Sequence, residues 1–255
     1  YSFKFRQAVS KCSMGKGRQA LADFGNTGVI EVGNHHTRPF HFPVKDFTPI
    51  GMVSSGGSLI AVLPTSQAKD VKSFIALAKA NPTQWSYGTS GIGGSGHLAA
   101  EQFKIETGLQ IAHVPYKGGA GALTDLLGGH IPVLFSSIGS IATNVEAGQV
   151  KALAVSSLAR SSLFPNVPTI AESGFPGFDS PVWFGVVAPA GLPATVTSKL
   201  VAALNAAMED PAVLKIIRQD GYEPLRMTPE QMKNAIQTEL KQWADLIKKT
   251  GMKAD

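Results

Sequence analysis

From Leu59 onward, apolar positions alternate between short runs and stripes at helical spacing. Ile60–Leu63 forms a brief apolar run, and residues 69–80 then place Val71, Phe74, Ile75 and Ala78 at i, i+3, i+4 and i+7. That spacing predicts one buried helix face. A strand is expected at 85–87, followed by a helix from Ser95, read as its N-cap, to Thr107, where Gly108 closes it. The alternation continues with a strand at Ile111–Val114, a helix over 119–127 ended by Gly128-Gly129, and a strand at Ile131–Phe135. A helix near 139–147 ends at Gly148, and Lys151–Val155 is the next strand. Repeated βα units of this length predict a mainly parallel sheet with helices on its faces.

The rhythm breaks over 160–182, a connection rich in Pro, Gly and Ser, and a strand resumes at Trp183–Ala188. After Pro193, Val196, Leu200, Leu204 and Met208 share a helix face, and Asp210-Pro211 reads as N-cap and first position of a second helix. Thr228-Pro229-Glu230-Gln231 is a capping box opening a third helix, with Met232, Ile236, Leu240, Trp243 and Ile247 expected inward. The first 42 residues differ. They carry Lys4, Arg6, Lys11, Lys16, Arg18 and Arg38 against only Asp23 and Glu31, and only Gly28–Val32 reads as a strand.

A chain of 255 residues, 44% hydrophobic and 16% charged, is long enough for one or two cored domains. No apolar run approaches the roughly 18–20 residues of a membrane span, and the basic first 20 residues lack the apolar stretch of a signal peptide. The net charge of +5 raises nucleic acid as a partner. The cations are scattered, however, and no nucleic-acid-binding motif appears, so none is expected. The single Cys12 excludes an intrachain disulfide framework and a cysteine zinc site. His35, His36 and His41 lack a supporting acid or Cys pattern, so no metal is expected.

The chemistry concentrates in residues 85–98, Trp-Ser-Tyr-Gly-Thr-Ser-Gly-Ile-Gly-Gly-Ser-Gly-His-Leu, where a strand breaks into glycines and hydroxyls before a helix starts. Helix-start amides beside Thr89 and Ser90 favour an anion, phosphate or carboxylate. Gly91 to Gly96 formally matches G-x-G-x-x-G, which makes a nucleotide-binding α/β enzyme using that loop the alternative reading. The dinucleotide fingerprint, however, needs an acid at the end of the next strand, and His113-Val114-Pro115-Tyr116-Lys117 supplies none. Gly93-Gly94-Ser95-Gly96-His97 misses the nucleophile-elbow spacing. His97, next to Ser95, faces elsewhere on the helix, so it reads as a first-turn residue that packs or hydrogen-bonds locally. Lys117 offers charge and Tyr116 a hydroxyl or aromatic wall at the next strand end, and Ser136-Ser137 follows the strand after that. Three such loops in succession point to a polar cleft. No catalytic residue is assigned and no cofactor is called for. Trp183 is read as core packing or a cleft wall.

From Pro43-Val44-Lys45-Asp46-Phe47-Thr48-Pro49-Ile50-Gly51 onward, the chain resembles the substrate-binding receptors of tripartite tricarboxylate transporters, the Bug-type periplasmic binding proteins. The resemblance is carried by Tyr87-Gly88-Thr89-Ser90-Gly91 with Ser95-Gly96-His97-Leu98, by His113-Val114-Pro115-Tyr116-Lys117-Gly118 and by Thr124-Asp125-Leu126-Leu127-Gly128-Gly129. Lys151-Ala152-Leu153-Ala154-Val155, Pro165-Asn166-Val167-Pro168-Thr169, Trp183-Phe184-Gly185 and Pro189-Ala190-Gly191 continue it. The resemblance implies an α/β, type II periplasmic-binding-protein-like fold, with two βα domains and a ligand cleft between them. Domain one would join 1–62 to 184–255, and domain two would be 63–183. It implies a periplasmic, monomeric, non-catalytic receptor that binds a small carboxylate solute and delivers it to membrane transporter subunits. Carried onto this chain, Thr89, Ser90, Gly91, Gly94 and Ser95 would hold a carboxylate. Ser136 and Ser137 would line the cleft, joined by Ser54 and Ser55 near the crossing between domains, and by Tyr116, Lys117 and Trp183. Residues 1–42 do not show the opening strand, Gly-Gly loop and helix of the family, which predicts weakened or absent binding and a less stable first domain, and leaves a degenerate, non-binding remnant as an alternative reading.

Overall fold

The computed structural model describes residues 46–251, and its architecture turns on one long strand, β1 (Phe47–Val62). The N-terminal half of β1 pairs antiparallel with β6 (Pro181–Pro189) on one side and β7 (Glu223–Met227) on the other. Its C-terminal half pairs antiparallel with β4 (Val133–Ser137) and β5 (Lys151–Val155). β2 (Ser86–Thr89) lies next to β4 and pairs in parallel with both β4 and β3 (Ala112–Pro115). The strand order is therefore β3-β2-β4-β1-β5, with β6 and β7 attached to the other end of β1.

Contrary to the expected mainly parallel sheet, every pairing made by β1 is antiparallel. Strands β2 to β5 do run in one direction, as crossover helices require, but β1 enters between β4 and β5 against them. Helical spacing reveals crossovers and not the strand that interrupts them. Only the last residues of β1 carry an apolar run, so its glycine- and serine-rich middle reads as a loop in the sequence. β7 gave no signal either, since Glu223, Pro224 and Arg226 break its apolar run.

The helices follow the sequence closely. α1 (Val71–Ala80) is capped by Asp70, which accepts from the Ser73 amide at 2.7 Å. α2 (Ser95–Thr107) begins one residue earlier than expected, because Gly94 is its N-cap and Ser95 its first helical residue. α3 (Gly119–Leu127) and α4 (Ile138–Glu146) complete the set around the first sheet region. α5 (Ala194–Ala207), α6 (Pro211–Gln219) and α7 (Pro229–Thr250) follow β6. The predicted capping box of α7 is present, with the Thr228 hydroxyl accepting from Gln231 N at 3.2 Å. Leu246 is buried beside Trp243 where the spacing had favoured Ile247.

β1 also shows how the cores divide. Ile60 and Val62 join Phe74, Tyr87, Phe103, Phe135 and Phe178 on the α1–α2 face, while Leu59 and Ala61 join Leu126, Leu134, Ile138 and Val155 on the α3–α4 face. That is the period-two alternation of a strand. Nearer its start, Ile50 packs with Leu204 of α5, Met208 at the end of that helix and Ile217 of α6, whereas Met52 packs with Met232 and Ile236 of α7. Two residues apart, these would share a face in a regular strand. A register shift between Pro49 and Gly51 moves them to opposite faces.

Candidate functional site

Because β2, β3 and β4 run parallel, their C-terminal ends meet at one edge, and nine of the twelve residues expected to bind ligand lie there: Thr89, Ser90, Gly91, Gly94, Ser95, Tyr116, Lys117, Ser136 and Ser137. The loops are laced by backbone bonds. Tyr116 N–H donates to Thr89 O at 3.1 Å, and Gly118 N–H to Ser90 O at 3.0 Å. Close packing brings the third loop in. A Cβ on Gly96 would stand 2.5 Å from the Phe135 carbonyl oxygen, so only glycine lets the first turn of α2 rest against the end of β4. Ser95 and Ser136 each stand next in sequence to one side of that contact. No side chain caps α2.

The loop's shape is fixed from inside. Thr89 is fully buried, and its hydroxyl lies 2.7 Å from His113 Nε2. The same oxygen accepts from Gly91 N–H at 3.3 Å and donates to Gly91 O at 3.0 Å, so the His113 Nε2–H is the donor in the shared bond. Gly93, at φ +75°, gives its N–H to His97 Nδ1 at 3.0 Å. The two imidazoles stack with centroids 3.9 Å apart, and Tyr87 stacks on His113 at 4.8 Å. Tyr87 also donates to Glu101, which is paired with Lys104 at 2.6 Å. Burial lowers His97 to about 4 despite the opposing pull of Glu101. Burial first, then His97 and Lys104, lower His113 to about 3. Both rings are neutral at pH 7.

The remaining expected residues divide between this edge and the strand crossing. Ser90 and Lys117 are exposed, and Ser95 and Ser137 are half-buried. Ser137 belongs to β4 itself and shares a 2.8 Å hydrogen bond with Ser140. The Tyr116 hydroxyl donates to Asp125 at 2.6 Å, and burial, with that bond adding, raises the phenol to about 12. Ser54 and Ser55 lie on β1 beyond its pairing with β4, where Ser55 is registered against Trp183. Ser55 and Trp183 line a cavity of about 300 Å³ that also touches Asp179 and Glu239, and none of the strand-edge residues lines it. Trp183 Nε1–H donates to both Glu239 oxygens at 2.8 Å. Burial raises the Glu239 carboxyl above its ordinary range, partly offset by bonds from Trp183 and Trp243.

The model of the tripartite tricarboxylate transporter family receptor matches residues 24–252. The chain belongs to that receptor family. Its relatives include the UPF0065 protein of the tcbD-tcbE intergenic region of Pseudomonas sp., to which it is 34% identical over 223 residues, covering 87% of this chain and 66% of that protein. It spans about two thirds of the length of the first such relatives. A solved periplasmic transporter matches with TM-score 0.80 and 36% identity over 89% of this chain and 78% of its own. An R. palustris protein solved with adipate matches with TM-score 0.82 and 29% identity, over 94% and 85% respectively. These likenesses place the receptor's mixed α/β sheet in the periplasmic solute-binding fold.

Two features of this receptor were missed from its sequence. The Tyr87–His113 stack follows from β2–β3 register, which pairs those two residues, and the Glu101 contact from an i, i+4 spacing with His97. The spacing was available as a signal and the register was not. The cavity beside Trp183 joins segments more than 100 residues apart and had none. Among the described residues, no group of three or more His, Cys, Asp or Glu is arranged to hold a metal, and no helix is long and apolar enough to cross a membrane. His35, His36, His41 and the expectation drawn from residues 1–42 lie outside the described residues.

Proposed function

We propose that the chain is a non-catalytic periplasmic receptor that captures a small carboxylate solute and passes it to membrane transporter subunits, working as a monomer. The observation that carries this reading is the convergence of three strand-end loops into one hydroxyl- and amide-bearing edge. Ser90, Gly91, Gly94 and Ser95 take one carboxylate, with buried Thr89 beneath them, while Ser136 and Ser137 form the adjoining wall. Tyr116 braces the site and Lys117 supplies a cation at its rim. N–H and hydroxyl donors hold an anion without the desolvation penalty of burying a paired cation. The adipate held by the R. palustris relative makes a dicarboxylate the first class to test.

The reading includes two lobes, residues 1–62 with 184–255 and residues 63–183, hinged where β1 passes from one set of partners to the other. Ser54, Ser55 and Trp183 sit at that hinge, where Ser55 and Trp183 line a shared cavity. Cleft closure around the solute then gives the transporter a distinct liganded shape to recognise. Isothermal titration with succinate, glutarate and adipate, alongside ATP and NAD as controls, tests the proposal. Saturable heat with a diacid supports it, and a nucleotide response with no diacid response overturns it.

A further inference from the structure

We propose that His97 and His113 are positioning residues, a stacked neutral pair that holds the glycine loop from its inner side and so keeps Ser90 and Ser95 presented outward to the solute. This rests on reading that loop as the carboxylate clamp. Each ring holds a different end of the loop. His113 fixes the exit from β2 through Thr89, whose hydroxyl closes a small ring with Gly91. His97 fixes the entrance to α2 by accepting from the buried Gly93 N–H, at a residue whose positive φ suits glycine.

The chemistry requires a definite protonation state. His97 must leave Nδ1 bare to accept, so its single proton resides on Nε2, and His113 must carry its proton on Nε2 to donate. Charging His97 would set an N–H against the Gly93 N–H and break the bond. The titratable and charged groups facing the pair are Tyr87 from β2, Glu101 and Lys104 from α2, and the opposite histidine. Glu101 is already engaged by Lys104 and by the Tyr87 hydroxyl, which leaves it a weak partner for an imidazolium 4.0 Å away. The sequence motif therefore has two layers: hydroxyls and glycines that face the solute, and imidazoles that shape them.

The test uses the full chain and three readouts. Nitrogen-15 spectra of labelled histidine report the tautomers, amide exchange reports the Gly93 bond, and adipate titration reports the site. The expected wild-type result is Nε2–H on both rings with a protected Gly93 amide, both persisting down to about pH 4, where His97 protonates. His97→Leu keeps the bulk but removes the acceptor. It should expose the Gly93 amide and weaken adipate about tenfold or more, as expected for an orphaned buried donor. His97→Asn offers an oxygen near the lost Nδ1 and should recover most of both. His113→Gln, which retains a donor toward Thr89, should likewise outperform His113→Leu. An Nδ1–H tautomer at His97 overturns the proposal, as does wild-type Gly93 protection in H97L or equal losses in H97N and H97L. Should wild type bind no diacid, the proposed function falls, while tautomer and exchange still decide how the loop is held.

Discussion

Gly96→Ala places two opposing effects on one atom. Alanine in a helix is favoured over glycine by up to about 1 kcal/mol, and position 96 lies in the first turn of α2. The added Cβ would meet the Phe135 carbonyl oxygen at 2.5 Å and its carbon at 3.1 Å, both backbone atoms of central strand β4. Ordinary contact begins near 3.4 Å, so α2 must retreat by about 3.4 − 2.5 = 0.9 Å. No rotamer change can relieve a clash between Cβ and backbone, and overpacking of this kind costs about 1–3 kcal/mol. The clash wins. With the full propensity gain taken, we expect a net loss of up to about 2 kcal/mol, or a fall in Tm of up to roughly 8 °C for a chain of this size. The retreat also moves the first turn of α2 away from the end of β4, so adipate affinity should fall beyond what stability explains. Gly121→Ala in α3 is the control, since its nearest neighbour would be a Tyr116 ring carbon at an ordinary 3.5 Å. That variant should be neutral or more stable. Urea denaturation of both variants decides the matter: a G96A protein as stable as G121A would refute the close-approach argument.

Burial holds His97 at about 4 and His113 at about 3, below their unfolded value of 6.5. The folded chain thus binds fewer protons than the unfolded chain in that window. Stability present above pH 6.5 should be lost as pH falls toward 4 and below, by at most about 1.4 kcal/mol per unit for each ring, and urea midpoints across pH should show a shallower loss in His113→Gln. For Glu239 the sign reverses. Its raised carboxyl pKa contributes stability below the ordinary glutamate range that is lost as pH rises through the folded value, so Glu239→Gln should flatten the urea midpoint over that rise. Trp243→Ala removes a ring packed with Leu98 and Leu246 and should cost about 3 kcal/mol. Its exchange signature should spread from α7 to the first turn of α2, and a loss confined to α7 would count against that contact.

Every helix from α1 to α7 is legible because its signals are local: a capping box at Thr228, an N-cap and proline at Asp210-Pro211, a closing glycine at 108, and apolar stripes such as Val71, Phe74 and Ala78. β1 was legible only at its apolar end. Its first eleven residues take their conformation from β6 and β7, which lie more than 120 residues away in sequence, and no local pattern encodes a partner. The shared direction of β2 to β5 is encoded by the helices that connect them, whereas the opposed direction of β1 is not encoded locally, for the same reason.

The candidate site was legible as a set of positions, and less so as a set of roles. Hydroxyls at strand ends read identically whether they face a solute or the protein, and only the register separates them. Thr89 and Ser90 are adjacent in a motif of small polar residues, yet one is fully buried against His113 and the other exposed. Thr89 is the last residue of β2, and the chain leaves the strand at Ser90. The inward residue needs a partner that can meet a buried hydroxyl without carrying charge, and a neutral imidazole does so. His113 is in turn positioned by pairing with Tyr87 across β2–β3. The glycine-rich segment is thus half of a structure whose other half lies on the next strand, and mutating either half should disturb the same loop.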